Sequence, residues 1–69
     1  MPNKIYKHLE LTGTSNTSIE EAVQNALARA SKTVRNIRWM HITETRGQVD
    51  GGKVVQWQVT LKAGFALEE

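Results

Sequence analysis

Residues 53–67, KVVQWQVTLKAGFAL, decide the fold of this 69-residue chain. From Val55 onward the odd positions are apolar and the even positions are mostly polar or small, the period of two that is typical of a β-strand with one buried face. Fifteen residues of strand extend roughly 50 Å at about 3.3 Å each, whereas a compact chain of this length has a radius of gyration of about 11 Å. The strand must therefore bend sharply or run onto a neighbouring subunit.

Two further strands are predicted upstream. The alternation from Lys4 to Thr12 indicates the first, and the aromatic and β-branched residues of 38–46 indicate the second. The segment 50–52, Asp-Gly-Gly, then supplies the positive-φ positions of a tight turn into the last strand.

A helix is predicted between the first two strands. The run GTSNTS at 13–18 reads as a turn, and Ser18-Ile19-Glu20-Glu21 is a capping box. Apolar residues at steps of three and four then continue as far as Val34. The order strand-helix-strand-strand predicts one α+β domain over residues 1–69, a three-stranded antiparallel sheet with one helix packed on it.

Composition excludes several classes of protein. The chain is 39% hydrophobic and 23% charged, has a net charge of +2 and contains no cysteine, so disulfides and thiolate metal sites are excluded. Its basic residues are scattered, which argues against a nucleic-acid partner, and no apolar run reaches the roughly 20 residues of a membrane span. The start MPNK lacks the apolar core of a secretory signal, so we expect a cytoplasmic protein. So short a chain is marginal alone, which favours self-association.

One face of the predicted sheet has no helix to cover it. The pattern places Val55, Trp57, Val59 and Leu61 toward the helix, with Met40 and Ile42 as the core pair of the second strand. Four residues of the second strand are then expected on the uncovered face: Trp39, His41, Thr43 and Thr45. An indole beside Gln and Thr side chains suits a flat heteroaromatic ligand, although an oligomer interface could bury it equally well.

The order of these residues closely resembles the dodecins, a family of small flavin-binding proteins, over essentially the whole chain. The matching stretches are Tyr6-Lys7, Glu10-Leu11, Gly13-Thr14-Ser15, Ile19 to Val23, Ala28-Arg29-Ala30, Arg38-Trp39, Arg46-Gly47, Gly52-Lys53, Trp57-Gln58-Val59, Gly64-Phe65 and Leu67-Glu68. The resemblance implies a hollow homo-dodecamer that holds flavins in pairs at two-fold interfaces.

The resemblance also implies a set of cofactor-binding residues. Trp39 matches the tryptophan that stacks on the isoalloxazine, and Gln58 matches the glutamine that hydrogen-bonds its pyrimidine edge. Lys4, Tyr6 and Arg46 match positions that hold the phosphate in relatives that bind flavin mononucleotide (FMN). FMN is the expected flavin, with riboflavin or FAD and also coenzyme A as further ligands. Without the resemblance, each residue has an interpretation that involves no ligand. Gln58 is then a solvated amide on a strand and Lys4 a charge near the terminus. Tyr6 is an aromatic residue of a subunit interface, and Arg46 pairs with Glu44 or Glu10.

The sequence departs from the family pattern at three positions. Met40 replaces a common aromatic, His41 stands where many relatives have glutamate, and Ala66 replaces an arginine, which removes a possible phosphate contact. No catalytic residue is predicted, because the serines lie mainly at the helix cap, and the two histidines do not suffice for a metal site. The resemblance implies flavin storage and photoprotection as the function, with a structural shell that binds no specific ligand as the alternative and a flavin enzyme as the third possibility.

Overall fold

The computed structural model describes residues 3–67 and has the predicted element order. The elements are β1 (Tyr6–Ser15), α1 (Ile19–Ala30), β2 (Ile37–Asp50) and β3 (Lys53–Ala66). The strands form one antiparallel sheet of order β1-β3-β2, so the predicted fold class is confirmed. The first two and last two residues, which include part of the MPNK start and Glu68, lie outside the described part of the chain.

The predicted cap begins α1. The Ser18 hydroxyl accepts a hydrogen bond from the Glu21 backbone N–H at 3.0 Å, which satisfies one of the free N–H groups of the first turn. The Glu21 carboxylate does not return to Ser18; it accepts hydrogen bonds from the hydroxyls of Ser15 at 2.6 Å and Thr17 at 2.8 Å. The hydrogen bonds from Ser15 and Thr17 lower the pKa of Glu21. The carboxylate thus ties the end of β1 to the start of α1.

The helix ends earlier than the apolar spacing predicted. It stops at Ala30, not Val34, and the next residues form tighter turns in which the Thr33 N–H donates to the Ala30 carbonyl at 3.1 Å. Thr33 and Val34 are β-branched and lose side-chain freedom in a helix, which favours ending it here. Asn36, at a φ of 65°, then redirects the chain into β2.

β1 runs from Tyr6 to Ser15, so it begins two residues later and ends three residues later than the strand predicted over 4–12, and it includes Gly13. The segment 13–15 was expected to be a turn, but it pairs with β3. A Cβ atom at Gly13 would overlap the carbonyl oxygen of Ala22 in α1. The glycine is therefore needed for close packing of the helix on the sheet.

The core lies between α1 and the centre of β3. Val59, Leu61 and Ala63 are fully buried, and they pack on Ala22, Val23 and Ala26 of the helix. The helix packs on β1 and β3 and leaves β2 largely uncovered.

Three residues predicted to be buried are exposed. Met40 and Ile42 pair with Ala63 and Leu61 and so lie on the predicted face, yet they are 40% and 36% exposed, because α1 packs on β1 and β3 and leaves this part of β2 uncovered. Val55, which is also exposed, is the extra residue of a bulge between the Gln48–Gln56 and Val49–Val54 pairs.

The β2–β3 hairpin extends well beyond the helix. The chain measures 55 × 20 × 13 Å and has a radius of gyration of 14.4 Å, against about 11 Å for a compact chain of this length. These dimensions agree with the predicted mismatch between the length of the last strand and the size of a compact chain. Within residues 3–67, no helix is long and apolar enough to cross a membrane.

Candidate functional site

The candidate site lies on the open face of the sheet, defined here as the face opposite α1. Side chains of residues directly opposite each other in antiparallel strands share a face. Read from β1 through β3 to β2, the cross-strand rows of the open face are His8–Gly64–Trp39, Glu10–Lys62–His41, Thr12–Thr60–Glu44 and Thr14–Gln58–Arg46.

A bulge at Thr43 brings Arg46 onto this face. In an unbroken strand the odd-numbered Trp39 and the even-numbered Arg46 would point to opposite sides. Thr43 is an extra residue between the Ile42–Leu61 and Glu44–Thr60 pairs, and its hydroxyl donates to the Thr60 carbonyl at 3.2 Å. The extra residue reverses the alternation.

The same bulge makes one sequence prediction wrong. Thr45 was expected on the open face, but it pairs with the buried Val59 and therefore lies on the helix face. A prediction based on strict alternation along the strand assigns Thr45 to the wrong face, because it does not include the bulge.

Trp39 forms the aromatic end of the open face. Its indole lies across Gly64 of β3, with the rings of Tyr6 and His8 each 6.4 Å away and tilted by 59° and 45°. Trp39 remains 40% exposed. The strand backbone thus supports an indole that keeps a large accessible surface.

Arg46 and Gln58 form the polar end. The Arg46 Nε donates to the Gln58 side-chain oxygen at 2.9 Å, and the Gln58 amide nitrogen donates to Gln56 at 3.0 Å. The Arg46 guanidinium also pairs with Glu44 at 2.8 Å. The sequence allows pairing with Glu44 as an alternative to phosphate binding by Arg46. That pair is present, and both side chains are exposed.

The five predicted binding residues fall into separate groups. Tyr6 lies beside Trp39, and Arg46 bonds Gln58. Gln58 is six positions along β3 from Gly64, the cross-strand partner of Trp39, which corresponds to about 20 Å. Lys4 precedes β1 and is exposed. Within one chain Trp39 and Gln58 are therefore too far apart to contact the same planar ring system.

His8 is a neighbour of Trp39 that the sequence reasoning missed. It was considered only as a metal ligand, although its position two residues from Tyr6 in an alternating strand places both on the same face. Among residues 3–67, no group of three or more His, Asp or Glu side chains could hold a metal ion.

Comparison with known proteins defines the class. A family model described as Dodecin matches residues 5–68, so the chain belongs to the dodecin family. The expected resemblance is confirmed.

Two relatives and one solved structure are similar over nearly their whole length. The chain is 48% identical over 66 residues to the dodecin of Thermus thermophilus, covering 96% of each chain. It is 32% identical over 63 residues to the calcium dodecin of Mycobacterium tuberculosis, covering 91% of this chain and 89% of the relative. The structure of dodecin from Streptomyces coelicolor matches with a TM-score of 0.92 at 48% identity, covering 100% of this chain and 99% of that chain.

Proposed function

We propose that this protein binds flavin, FMN or riboflavin, and stores, sequesters and photoprotects it as stacked pairs between Trp39 side chains of neighbouring subunits in a homo-dodecamer. The observation that carries the proposal is the exposed indole supported by Gly64 on a sheet face that no helix covers. Membership of the dodecin family supports it.

The residues present fit a planar heteroaromatic group. A flat ring stacks best on a rigid aromatic surface with its faces offset and parallel, and the Trp39 indole is held between the strand backbone and the flanking rings of Tyr6 and His8. The Gln58 side chain has both an amide donor and an acceptor, which suits the polar edge of a pyrimidine.

Gln58 lies about 20 Å along β3 from Gly64, the cross-strand partner of Trp39, and this separation supports a site shared between subunits. A single flavin ring that stacks on Trp39 of one subunit must receive its amide hydrogen bonds from Gln58 of the partner subunit. Exposed apolar residues along β2, Met40 and Ile42 among them, provide surface for the required association.

Arg46, Lys4 and Tyr6 are the proposed contacts of an FMN phosphate. A guanidinium suits a phosphate because it is permanently charged and presents a fork of donors. Arg46 pairs with Glu44, so a phosphate bound by Arg46 would compete with that carboxylate. Ala66 lies opposite Tyr6 and adds no charge.

The stack accounts for photoprotection and argues against catalysis. A bound flavin supplies a planar ring that becomes a strong oxidant when it absorbs light. The Trp39 indole would serve as the electron donor to a flavin stacked on it, and return of the electron would dissipate the excitation. A flavin enclosed by such a stack would have no open ring face for a substrate, so binding and not turnover is the proposed activity.

The test is to add FMN or riboflavin to the purified protein and to record colour, flavin emission and assembly mass. We expect a yellow assembly with nearly dark flavin fluorescence. A colourless assembly of unchanged mass would instead support the structural shell, in which Trp39 only packs an interface. Substrate-dependent bleaching of bound flavin without oxygen would support an enzyme.

A further inference from the structure

The indole of Trp39 lies against Gly64, and the backbone conformation at position 64 does not require a glycine. Within residues 3–67 the glycines with positive φ are Gly51 and Gly52, in the hairpin turn, so the conformation of Gly64 is open to any L-residue. Gly64 also occupies the central strand, where glycine weakens a sheet. The reason for a glycine must lie in what surrounds it.

The surroundings of Gly64 identify that reason. A Cβ atom built there would overlap the indole, and its nearest neighbours are three ring atoms of Trp39, Cε2, Cζ2 and Cδ2. These are atoms of a rigid bicyclic ring, which cannot bend away as the end of a flexible chain can. Even the smallest side chain must therefore lift or rotate the indole.

The neighbouring rings restrict where the indole could move. Tyr6 and His8 of β1 each have their ring centroids 6.4 Å from that of Trp39, and His8 is the direct cross-strand partner of Gly64. An indole displaced from Gly64 cannot slide toward β1 without meeting these rings. It must move away from β1, either outward, into the space where a stacked ligand would lie, or back over β2, the edge strand of the sheet; both movements take the indole off its position on Gly64.

We infer that Gly64 is a positioning residue, whose missing side chain sets the plane and height of the Trp39 indole for stacking. Gly64 makes no contact of its own with the ligand in this scheme and acts only through Trp39. The inference deepens the proposed function and rests on it for its effect on flavin binding. Its effect on the indole itself can be observed without ligand.

The experiment uses Gly64→Ala in a Trp57→Phe background, in which Trp39 is the only tryptophan. Gly47→Ala in the same background is the matched control, because its Cβ would approach a Val54 methyl at 3.0 Å and leave Trp39 untouched. Assembly mass and thermal unfolding show whether each variant is folded. Near-ultraviolet circular dichroism and indole emission of the ligand-free protein report the position of Trp39, and a riboflavin titration reports binding.

For Gly64→Ala we expect a folded assembly with a weakened near-ultraviolet indole signal and emission at longer wavelength. We also expect a riboflavin dissociation constant raised about two- to tenfold, which is the size of a lost stacking contribution, while Gly47→Ala matches the background. Unchanged indole spectra in Gly64→Ala, or changed spectra with unchanged riboflavin binding, would overturn the inference.

The background protein and one further variant separate this inference from other failures. If the parent and the background protein both bind no riboflavin, the proposed function fails, and the ligand-free spectra alone decide whether Gly64 positions Trp39. If Gly64→Ala does not fold, Gly64→Ala is combined with Trp39→Ala. The combination should restore folding if the indole is the obstacle, and continued failure to fold would overturn the inference.

Discussion

Replacing Trp39 by alanine removes the surface on which the proposed ligand stacks. An indole side chain buries up to about 250 Å², and Trp39 is 40% exposed, so a ring that covers it removes about 100 Å² from water. At about 25 cal/mol per Å² this contributes about 2.5 kcal/mol, and aromatic stacking adds about 0.5–1.5 kcal/mol. Trp39→Ala should therefore raise the flavin dissociation constant by about two to three orders of magnitude.

The assay is a titration of flavin emission with increasing protein, with assembly mass measured on the same samples. Trp39→Ala should lose both affinity and quenching while the assembly survives. Trp39→Phe should keep part of the affinity, because a phenyl ring still stacks, but lose most of the quenching, because it is a poorer electron donor. Trp57→Phe is the control, since Trp57 pairs with Gly47 on the helix face, and it should bind as the parent does.

The reasoning is refuted if Trp39→Ala still binds and quenches flavin as the parent protein does. An intact assembly must accompany that result, because a dissociated variant would lose a shared site for another reason. Loss of quenching in Trp57→Phe would equally contradict the assignment to the open face.

Three further perturbations test other parts of the account. Gln58→Ala should weaken FMN and riboflavin binding alike by about 1–3 kcal/mol, and an unchanged dissociation constant would remove Gln58 from the site. Arg46→Ala should weaken FMN far more than riboflavin, and equal losses in parallel titrations would exclude a phosphate contact. The pKa of Glu21 is lowered by its hydrogen bonds from Ser15 and Thr17, so its contribution to stability is present above its ordinary value of 4.5 and lost as the pH falls through its lower folded value. Thermal unfolding between neutral and acid pH should show that loss in the parent and not in Glu21→Gln, and identical pH profiles would refute it.

The fold could be predicted from the sequence because local and tertiary preferences agree. The alternation in β3 indicates a strand, the Ser18 cap indicates the start of a helix, and Gly51 indicates a turn. The buried Val59 and Leu61 lie on the predicted face of the sheet. The helix boundary was wrong because apolar spacing continues to Val34 while the backbone leaves the helix at Ala30.

The candidate site was only partly predictable because bulges follow from pairing between strands. Nothing in residues 38–46 marks Thr43 as an extra residue, yet it decides that Arg46 and not Thr45 lies on the open face. The exposure of Met40 and Ile42 likewise depends on how far α1 reaches across the sheet. The support of Trp39 by Gly64 joins residues far apart in sequence, and only the register of β2 on β3 reveals it.

The central claim is that two Trp39 indoles from neighbouring subunits enclose two flavins, and a crystal structure of the flavin-loaded protein tests it most directly. Four stacked rings have three gaps of about 3.5 Å, so the two indole planes should be parallel and about 10 Å apart, with the flavins between them. An indole packed against aliphatic side chains, or a flavin bound away from Trp39, would contradict the account.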